Sequence, residues 1–400
     1  MTDRLDRPLA HHALEAVLFV LGAAVWWSPA LSNIAFVAVV AVAAVTGRAP
    51  DWRRAFSHPV AVAGLALLAY IVVRSVPQGA AGVLYGARGY FELAMVPLLL
   101  VALASVASCR ALWAGLCAGC IGYGLVHWGG LFNDALGVYL SGKRISAGFN
   151  MALFAYVAFD LARRQADGRR AYALSAFAAA TVLFAIGSRT GHLVLLALLL
   201  LTAYQAAPRR QRFIALLCAL GAFVLLAALS NPVRTRLAET VGASTETRRP
   251  VTSSSSSSEI RLAIIRHSLT VASDHFAIGT GWTRYAEAFG EAIRAGGDQV
   301  DVFSLGNPHN EYLLQLGAGG IPALVLFLAW LAAPAVGRRA GRWAWNDPRL
   351  RAGALAFAIG CLFNSLLLDF LEAHFYVTVL AWMLADGFRR DAATAEVPAG

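Results

Sequence analysis

The side chains with the widest chemical reach in this sequence fall at the ends of its apolar segments. Asn307-Pro308-His309-Asn310-Glu311-Tyr312 opens an apolar run that continues through Gly317, Gly319, Gly320 and Pro322. Asn307 suits a helix cap and Pro308 the first helical turn, which predicts His309 at the N-terminal end of a helix. Free backbone N–H groups and the helix dipole disfavour an imidazolium there and favour an anion. A neutral histidine beside an anionic substrate can take the proton of a hydroxyl group, so His309 is a candidate general base. The same placement suits an interfacial histidine that only satisfies local hydrogen bonds. His309, Leu313, Gly317 and Gly320 are spaced to share one helix face, where the glycines admit a close neighbour.

Arg189 lies in Gly187-Ser188-Arg189-Thr190-Gly191, a tight turn between two strongly apolar segments. Placing arginine at membrane depth costs about 2.5–3.5 kcal/mol on insertion scales, so it needs an anion, a cavity or a route to the interface. Arg261 falls in the first turn of a predicted amphipathic helix and either joins such a site or pairs with an acidic neighbour. Guanidinium groups keep their charge and donate hydrogen bonds in pairs, so several of them beside a polar pocket would make a diphosphate clamp. Glu92 and Asp369, within or at the ends of apolar segments, are candidate counter-ions and read first as members of structural ion pairs.

Several patterns lead nowhere. Gly137 to Lys143 has the spacing GxxxxGK, but Arg144 stands where a phosphate loop needs Ser or Thr for magnesium. Asp298 and Asp301 have no neighbours that complete a metal ligand set and read as a solvated loop. The five cysteines (Cys109, Cys117, Cys120, Cys218, Cys361) lie in or beside apolar segments and read as small buried residues, the Cys117/Cys120 pair included. The nine histidines provide no HExxH, and no Ser-His-Asp set is recognisable. No metal site is expected.

The elements that must carry these residues follow from composition. The 400 residues are 58% hydrophobic and 14% charged, against roughly 25% charged in soluble domains. Apolar windows predict twelve spans, near 13–30, 33–47, 58–76, 89–107, 111–130, 148–163, 171–187, 190–207, 213–230, 311–337, 351–368 and 371–388. The first two are short and suit a re-entrant pair as well. No cleavable signal is convincing, so the first span is expected to be retained.

The net charge of +10 reports topology before partners, and nucleic-acid binding does not follow from it. With a cytoplasmic N-terminus, short and almost purely basic connections such as Pro208-Arg209-Arg210-Gln211-Arg212 fall inside, as the positive-inside rule requires. Arg74, Arg88, Lys143, Arg144, Arg189 and the basic residues of the long loop then fall outside, against that bias, and need another reason to be there. Residues 231–310 are the only long hydrophilic segment. The run Ser253 to Ser258 reads as a flexible linker. After it, Ser256 and Glu259 have capping-box spacing, and Ile260, Ala263, Ile264, His267 and Val271 recur at helical intervals, predicting a short amphipathic helix on the bundle.

Three blocks resemble a known family. His309-Asn310 followed by Gly320-Ile321-Pro322 resembles the signature of bacterial O-antigen ligases, with a departure at Ala323. Ser188-Arg189-Thr190-Gly191 is similar to that family's arginine turn. Glu259-Ile260-Arg261, with Asp274-His275-Phe276-Ala277-Ile278-Gly279-Thr280-Gly281-Trp282, resembles its loop block, departing at Phe276 and Ala277. The resemblance covers about residues 140–335 in motifs and the whole chain in span layout.

The resemblance implies an all-α polytopic membrane protein of about 12 transmembrane helices with one large periplasmic loop containing short helices. Nine transmembrane helices would lie in 1–230, the periplasmic loop in 231–310, three further transmembrane helices in 311–388 and a cytoplasmic tail in 389–400. It implies a glycosyltransferase of the bacterial inner membrane, working on the periplasmic face without nucleotide, metal or cofactor. The donor would be O-antigen linked to undecaprenyl diphosphate, the acceptor the outer-core sugar of lipid A-core, and the reaction an inverting displacement. Arg189 and Arg261 would bind the diphosphate and His309 would position or deprotonate the acceptor hydroxyl. Arg88 and Arg144 would contact phosphate or core, and Asn310 and Tyr312 would orient the histidine or the sugar. An O-antigen polymerase or an O-oligosaccharyltransferase is the alternative within the superfamily. A carrier-lipid glycan flippase or other transporter is the non-enzyme alternative, disfavoured because arginines gather at one face and no paired repeats are evident.

Overall fold

A computed structural model of the chain describes residues 6–46, 49–106, 108–244, 257–298, 306–335, 337–339, 342–344 and 347–395. The chain is helical almost throughout. The first elements are α1 (Asp6–Ala24), α2 (Pro29–Thr46), α3 (Ala49–Phe56), α4 (Pro59–Ser75), α5 (Gly79–Gly89) and α6 (Glu92–Ala104). Next come α7 (Arg110–Gly129), α8 (Asp134–Ser141), α9 (Arg144–Arg164), α10 (Arg169–Ala180), α11 (Arg189–Ala206) and α12 (Arg212–Leu229). The predicted loop contains α13 (Asn231–Ser244), α14 (Ser257–Asp274) and α15 (Trp282–Gly296). The chain ends with α16 (Glu311–Ala332), a small hairpin of β1 (Gly337–Arg339) and β2 (Arg342–Ala344), α17 (Pro348–Cys361) and α18 (Phe370–Ala395).

Every predicted span overlaps a helix, but the helices differ in what their length permits, and twelve crossings do not follow from them. Among the described residues six helical segments are long and apolar enough to cross a membrane: Pro59–Gly89, Arg110–Gly129, Arg144–Arg164, Arg189–Ala206, Arg209–Leu229 and Glu311–Ala335. This is the character of a multi-pass membrane protein. His11–Ala24, Pro29–Val45 and Glu92–Ala104 are apolar but shorter.

A continuous core holds the bundle together. Helix α1 packs on α2 and α7, α9 on α10 and α11, α18 on α6, and α16 on α4. Trp26, in the turn after α1, sits edge-on to Phe154 and Phe375 at centroid distances of 5.5 and 4.7 Å, joining α9 and α18 to the end of the first helix. Helix α12 packs on α11 and α13 but has no buried residue, and Cys218 on it is exposed, unlike Cys109, Cys120 and Cys361, which are buried.

The loop segment is built onto α16 by a break in that helix. Gly320 has φ 70° and ψ −168°, and Pro322 has no N–H to offer Ala318. The freed carbonyls are taken up from outside the helix. Thr280 N–H donates to Gly317 O at 2.9 Å, Gly281 N–H to Ala318 O at 2.7 Å, and Tyr70 hydroxyl to Gly319 O at 2.7 Å. Ile321 N–H turns outward to Phe276 O at 2.8 Å. Arg74, one of the arginines that the charge bias left unexplained, donates to Ile278 O and Gly279 O at 2.9 and 3.2 Å. The block Phe276 to Gly281 and the block Gly317 to Pro322 are therefore the two halves of one backbone joint.

That joint corrects the expectation of an unbroken helix face through His309 and Gly320, because neither residue has helical geometry. It also sets a stability prediction. A Cβ on Gly320 would lie 2.6 Å from Ala277 O and Ile278 N, at a φ that L residues avoid. Gly320→Ala is expected to cost at least the about 1–3 kcal/mol of such backbone strain, read as a lower thermal midpoint of the purified protein in detergent. An unchanged midpoint would contradict the joint.

The amphipathic helix of the loop is α14, which runs longer than predicted and buries Ala263, Ile264, His267 and Val271. Ser253 to Ser256, and with Ser256 the capping box, lie outside the described residues, as does Asp301. Asp298 is not the solvated residue expected. It is buried, accepts from Arg266, and lies 2.7 Å from His267 Nε2, so it ties the end of α15 to α14.

Candidate functional site

The site begins where two helices start side by side. Helices α9 and α11 meet backbone to backbone, and a Cβ on Gly191 would lie 2.6 Å from the Gly148 Cα. Only glycines allow this approach, which brings the first residues of the two helices, Arg144 and Arg189, to the same end. Ser188 caps α11 by accepting from Gly191 N–H at 3.2 Å. Upstream of it α10 ends in a π-helical turn, Thr181–Ala185. The π turn and the extended residues after it are tied down from both sides. Ser230 hydroxyl donates to Leu183 O, His192 Nε2–H to Val182 O at 3.0 Å, and Arg236 Nε–H to Gly187 O at 3.1 Å.

Arg144, Arg189, Arg236 and Arg261 line one cavity of about 270 Å³, together with Ile145, Gly187, Ser188 and Thr190. No acidic side chain is among the described residues that line it. Burial lowers the Arg261 pKa first, and the charges of Arg189, Arg144 and Arg236 lower it further. A guanidinium nonetheless stays protonated, so the cavity presents positive charge to an entering anion. The N-terminus of α11 adds its dipole and backbone donors to the same space. The arrangement fits a diphosphate.

Two further spaces adjoin this cavity. One, about 550 Å³, lies toward α7 and α8 and shares Arg144, Gly187 and Arg236 with it; His127 and Leu140 also line it. The other is an apolar groove of about 1340 Å³ between α11, α12 and α13, lined by Leu193, Phe223, Val224, Ala227 and Leu237. Arg189 and Arg236 belong to both groove and cavity. A ligand with an anionic head and a long apolar tail could occupy cavity and groove together.

His309 approaches from the other side. It is the only non-glycine with positive φ among the described residues, at 49°, a conformation that over-determined functional sites tolerate. Its N–H donates to Asn307 Oδ1 at 2.9 Å, and α16 starts two residues later. The predicted cap is thereby corrected: Asn310, not Asn307, caps the helix, accepting from Leu313 N–H at 3.0 Å, and Pro308 lies before the helix rather than in its first turn. His309 Nδ1 lies 2.9 Å from Asn364 Oδ1, and Asn364 Nδ2 lies 2.5 Å from Asp369 Oδ2. The loop between α17 and α18 that carries Asn364 also carries Phe363, which lines the apolar groove.

Burial pushes the His309 pKa below its ordinary 6.5; the Asn364 bond raises it, and the Arg261 charge lowers it again. Arg261 therefore acts electrostatically on His309 on one side and on the other three arginines on the other. The sign of the resulting pH dependence is fixed. A base must be neutral, so its rate is flat above its pKa and falls as pH drops through it. For a His309 base, kcat/KM for transfer is expected to stay flat down to pH 6.5 and to decline only below it. A decline already complete between pH 8 and 7 would contradict the assignment.

The remaining sequence candidates are placed as follows. Tyr312 hydroxyl donates to Ala358 O at 2.9 Å and Asn310 Nδ2 to Leu362 O at 3.1 Å, so both brace α16 against α17. Arg88 is exposed on α5 and is not among the residues lining the arginine cavity. Glu92 lies 3.3 Å from His374 Nε2, both fully buried. Asp369 meets Asn364 rather than a cation.

Two residues escaped the sequence reading. Arg236 was one of several loop arginines, distinguished only by falling on the side of the membrane that should be poor in them. Asn364 left a clearer trace, an amide in an otherwise apolar segment, where a polar group needs a partner.

A family model described as O-antigen ligase matches residues 174–328, a similarity confined to that segment. The match begins in α10 and ends beyond the break in α16. It contains Arg189, Arg236, Arg261 and His309, whereas Arg144, Asn364 and Asp369 lie outside it. No curated protein matches the chain.

Proposed function

We propose that the chain, with the segment matched by the O-antigen ligase family model, residues 174–328, at its centre, is a glycosyltransferase. In this reading it moves O-antigen from undecaprenyl diphosphate to the outer-core sugar of lipid A-core. The observation that carries the proposal is the four-arginine cavity, open to an apolar groove and electrically linked to the half-buried His309. An isoprenoid diphosphate has the matching parts: two phosphates for the guanidinium groups and the α11 N-terminus, and an apolar chain for the groove beside α12.

The chemistry is a single displacement. His309 accepts the proton of the acceptor hydroxyl as its oxygen attacks the anomeric carbon. The bond from that carbon to the diphosphate oxygen breaks, and undecaprenyl diphosphate leaves with the bonding electrons. Arg144, Arg189, Arg236 and Arg261 meet the charge that develops on the departing oxygen. One displacement inverts the anomeric centre, and no carboxylate lining the arginine cavity among the described residues offers a covalent alternative. Twelve crossings, with residues 231–310 on the periplasmic side of the inner membrane, place these groups where both lipid-linked substrates reside.

Purified protein, supplied with undecaprenyl-diphosphate-linked glycan and lipid A-core and no nucleotide, should yield glycan-bearing lipid A-core, seen as a gel shift. Lengthening of the carrier-linked glycan with lipid A-core untouched would replace ligase by polymerase. Failure of both reactions in an intact, membrane-inserted protein would overturn the enzyme reading.

A further inference from the structure

His309 is held by more than one contact, and the order of those contacts has a chemical direction. An ionised carboxylate only accepts hydrogen bonds, so the group that Asn364 turns toward Asp369 Oδ2, at 2.5 Å, must be its Nδ2. The amide has then no freedom to flip, and its Oδ1 faces His309 Nδ1 at 2.9 Å. An amide oxygen also only accepts, so Nδ1 must carry the hydrogen. Asn364 is 3% exposed, and the loop it sits in is fixed on its other side by Leu367 N–H donating to Glu311 Oε2 at 3.1 Å.

We propose that Asn364 and Asp369 are positioning residues: Asp369 orients the Asn364 amide, which holds His309 with its proton on Nδ1 and its lone pair on Nε2. Nε2 is then the atom that takes the acceptor proton. A neutral imidazole free to choose would spend part of its time with Nε2 protonated and useless as a base. The relay removes that choice without placing a carboxylate against the ring. A carboxylate in direct contact would favour the imidazolium beside a diphosphate site, whereas the amide transmits orientation and leaves the ring neutral. The titratable and charged groups facing this relay are Arg261 from α14 on the His309 side, and Glu311 of α16 and Glu372 of α18 on the Asp369 side, with Glu372 also bonded to Asn364.

The inference rests on His309 being the base, and its test separates the two ideas. Protein labelled with ¹⁵N in the histidine rings, in lipid nanodiscs at pH 8, reports which nitrogen is protonated, with His309→Gln identifying the resonances. The relay predicts Nδ1–H and a bare Nε2 in the unaltered protein, and a shift toward Nε2–H in Asn364→Leu. Transfer by Asn364→Leu should fall about 10–100-fold in kcat, the size of effect seen when orienting partners of functional imidazoles are lost. Its binding of inorganic pyrophosphate should be unchanged. Asn364→Asp, which keeps an acceptor on Nδ1, should recover most of that kcat with the acid limb of the pH profile moved upward. An Nε2–H tautomer in the unaltered protein overturns the relay without recourse to any variant, as does wild-type kcat in Asn364→Leu. A fully active His309→Ala protein would instead overturn the base assignment beneath it.

Discussion

His309→Ala is expected to lower kcat for glycan transfer by about 10²–10⁴-fold, the usual contribution of a positioned general base. Binding of inorganic pyrophosphate to the same protein should be nearly unchanged, because His309 does not line the arginine cavity. The split matters because a histidine that only shaped the loop would lower both together. The residue's backbone gives a second check. At φ 49° alanine is less tolerant than histidine, so His309→Asn, a residue that accepts this conformation readily, is the variant that preserves the turn without supplying a base. Both variants should be inactive and folded. Activity in either, measured in detergent or nanodiscs, would remove His309 from the chemistry.

The second large effect is expected at Arg261. Of the four arginines it is the one that reaches both the others and His309, so the charge it carries lies between clamp and base. Arg261→Ala should reduce transfer by about 10²–10³-fold, comparable with loss of one preorganised donor to a developing oxyanion. Its stability should not fall, since a half-buried charge held against Arg189, Arg144 and Arg236 has been removed. Activity lost without loss of stability is the mark of a site strained for function. Arg261→Lys should recover little, because an ammonium group cannot present two coplanar donors. Thermal unfolding and transfer rates on the same preparations decide the matter, and a variant both less stable and fully active would sink the clamp.

How much of this was legible beforehand differs by kind of information. Helix positions followed from hydropathy, since a lipid-facing or bundle-facing segment needs length and apolar content whatever its neighbours. The chemistry-bearing residues Arg189, Arg261 and His309 stood out because each violated an expectation, a charge on the wrong side or a polar group at a span's end. Their partners did not stand out, because partnership is a tertiary property. Asn364 lies 55 residues from His309, and no local periodicity links them. Asn310 and Tyr312 show how neighbours in sequence can bond elsewhere in the fold. Adjacent in sequence to the histidine, they turn away to brace α16 on α17, since a cap and a helical residue face where the helix sends them. The break at Gly320 and Pro322 was visible as residues, but the segment that repairs it, Phe276 to Gly281, could be assigned only once the fold had brought it alongside.

The claim that clamp and base serve one reaction centre is tested most directly by a double-mutant cycle between Arg261→Ala and His309→Ala, read in single-turnover transfer to lipid A-core. Groups that act on the same transition state are strongly non-additive. The account predicts that the double variant is about as slow as the slower single variant, a coupling as large as the smaller single effect, about 10²–10³-fold. Losses that multiply, so that the two substitutions act independently, would contradict it and place the arginine cavity and the histidine in separate events.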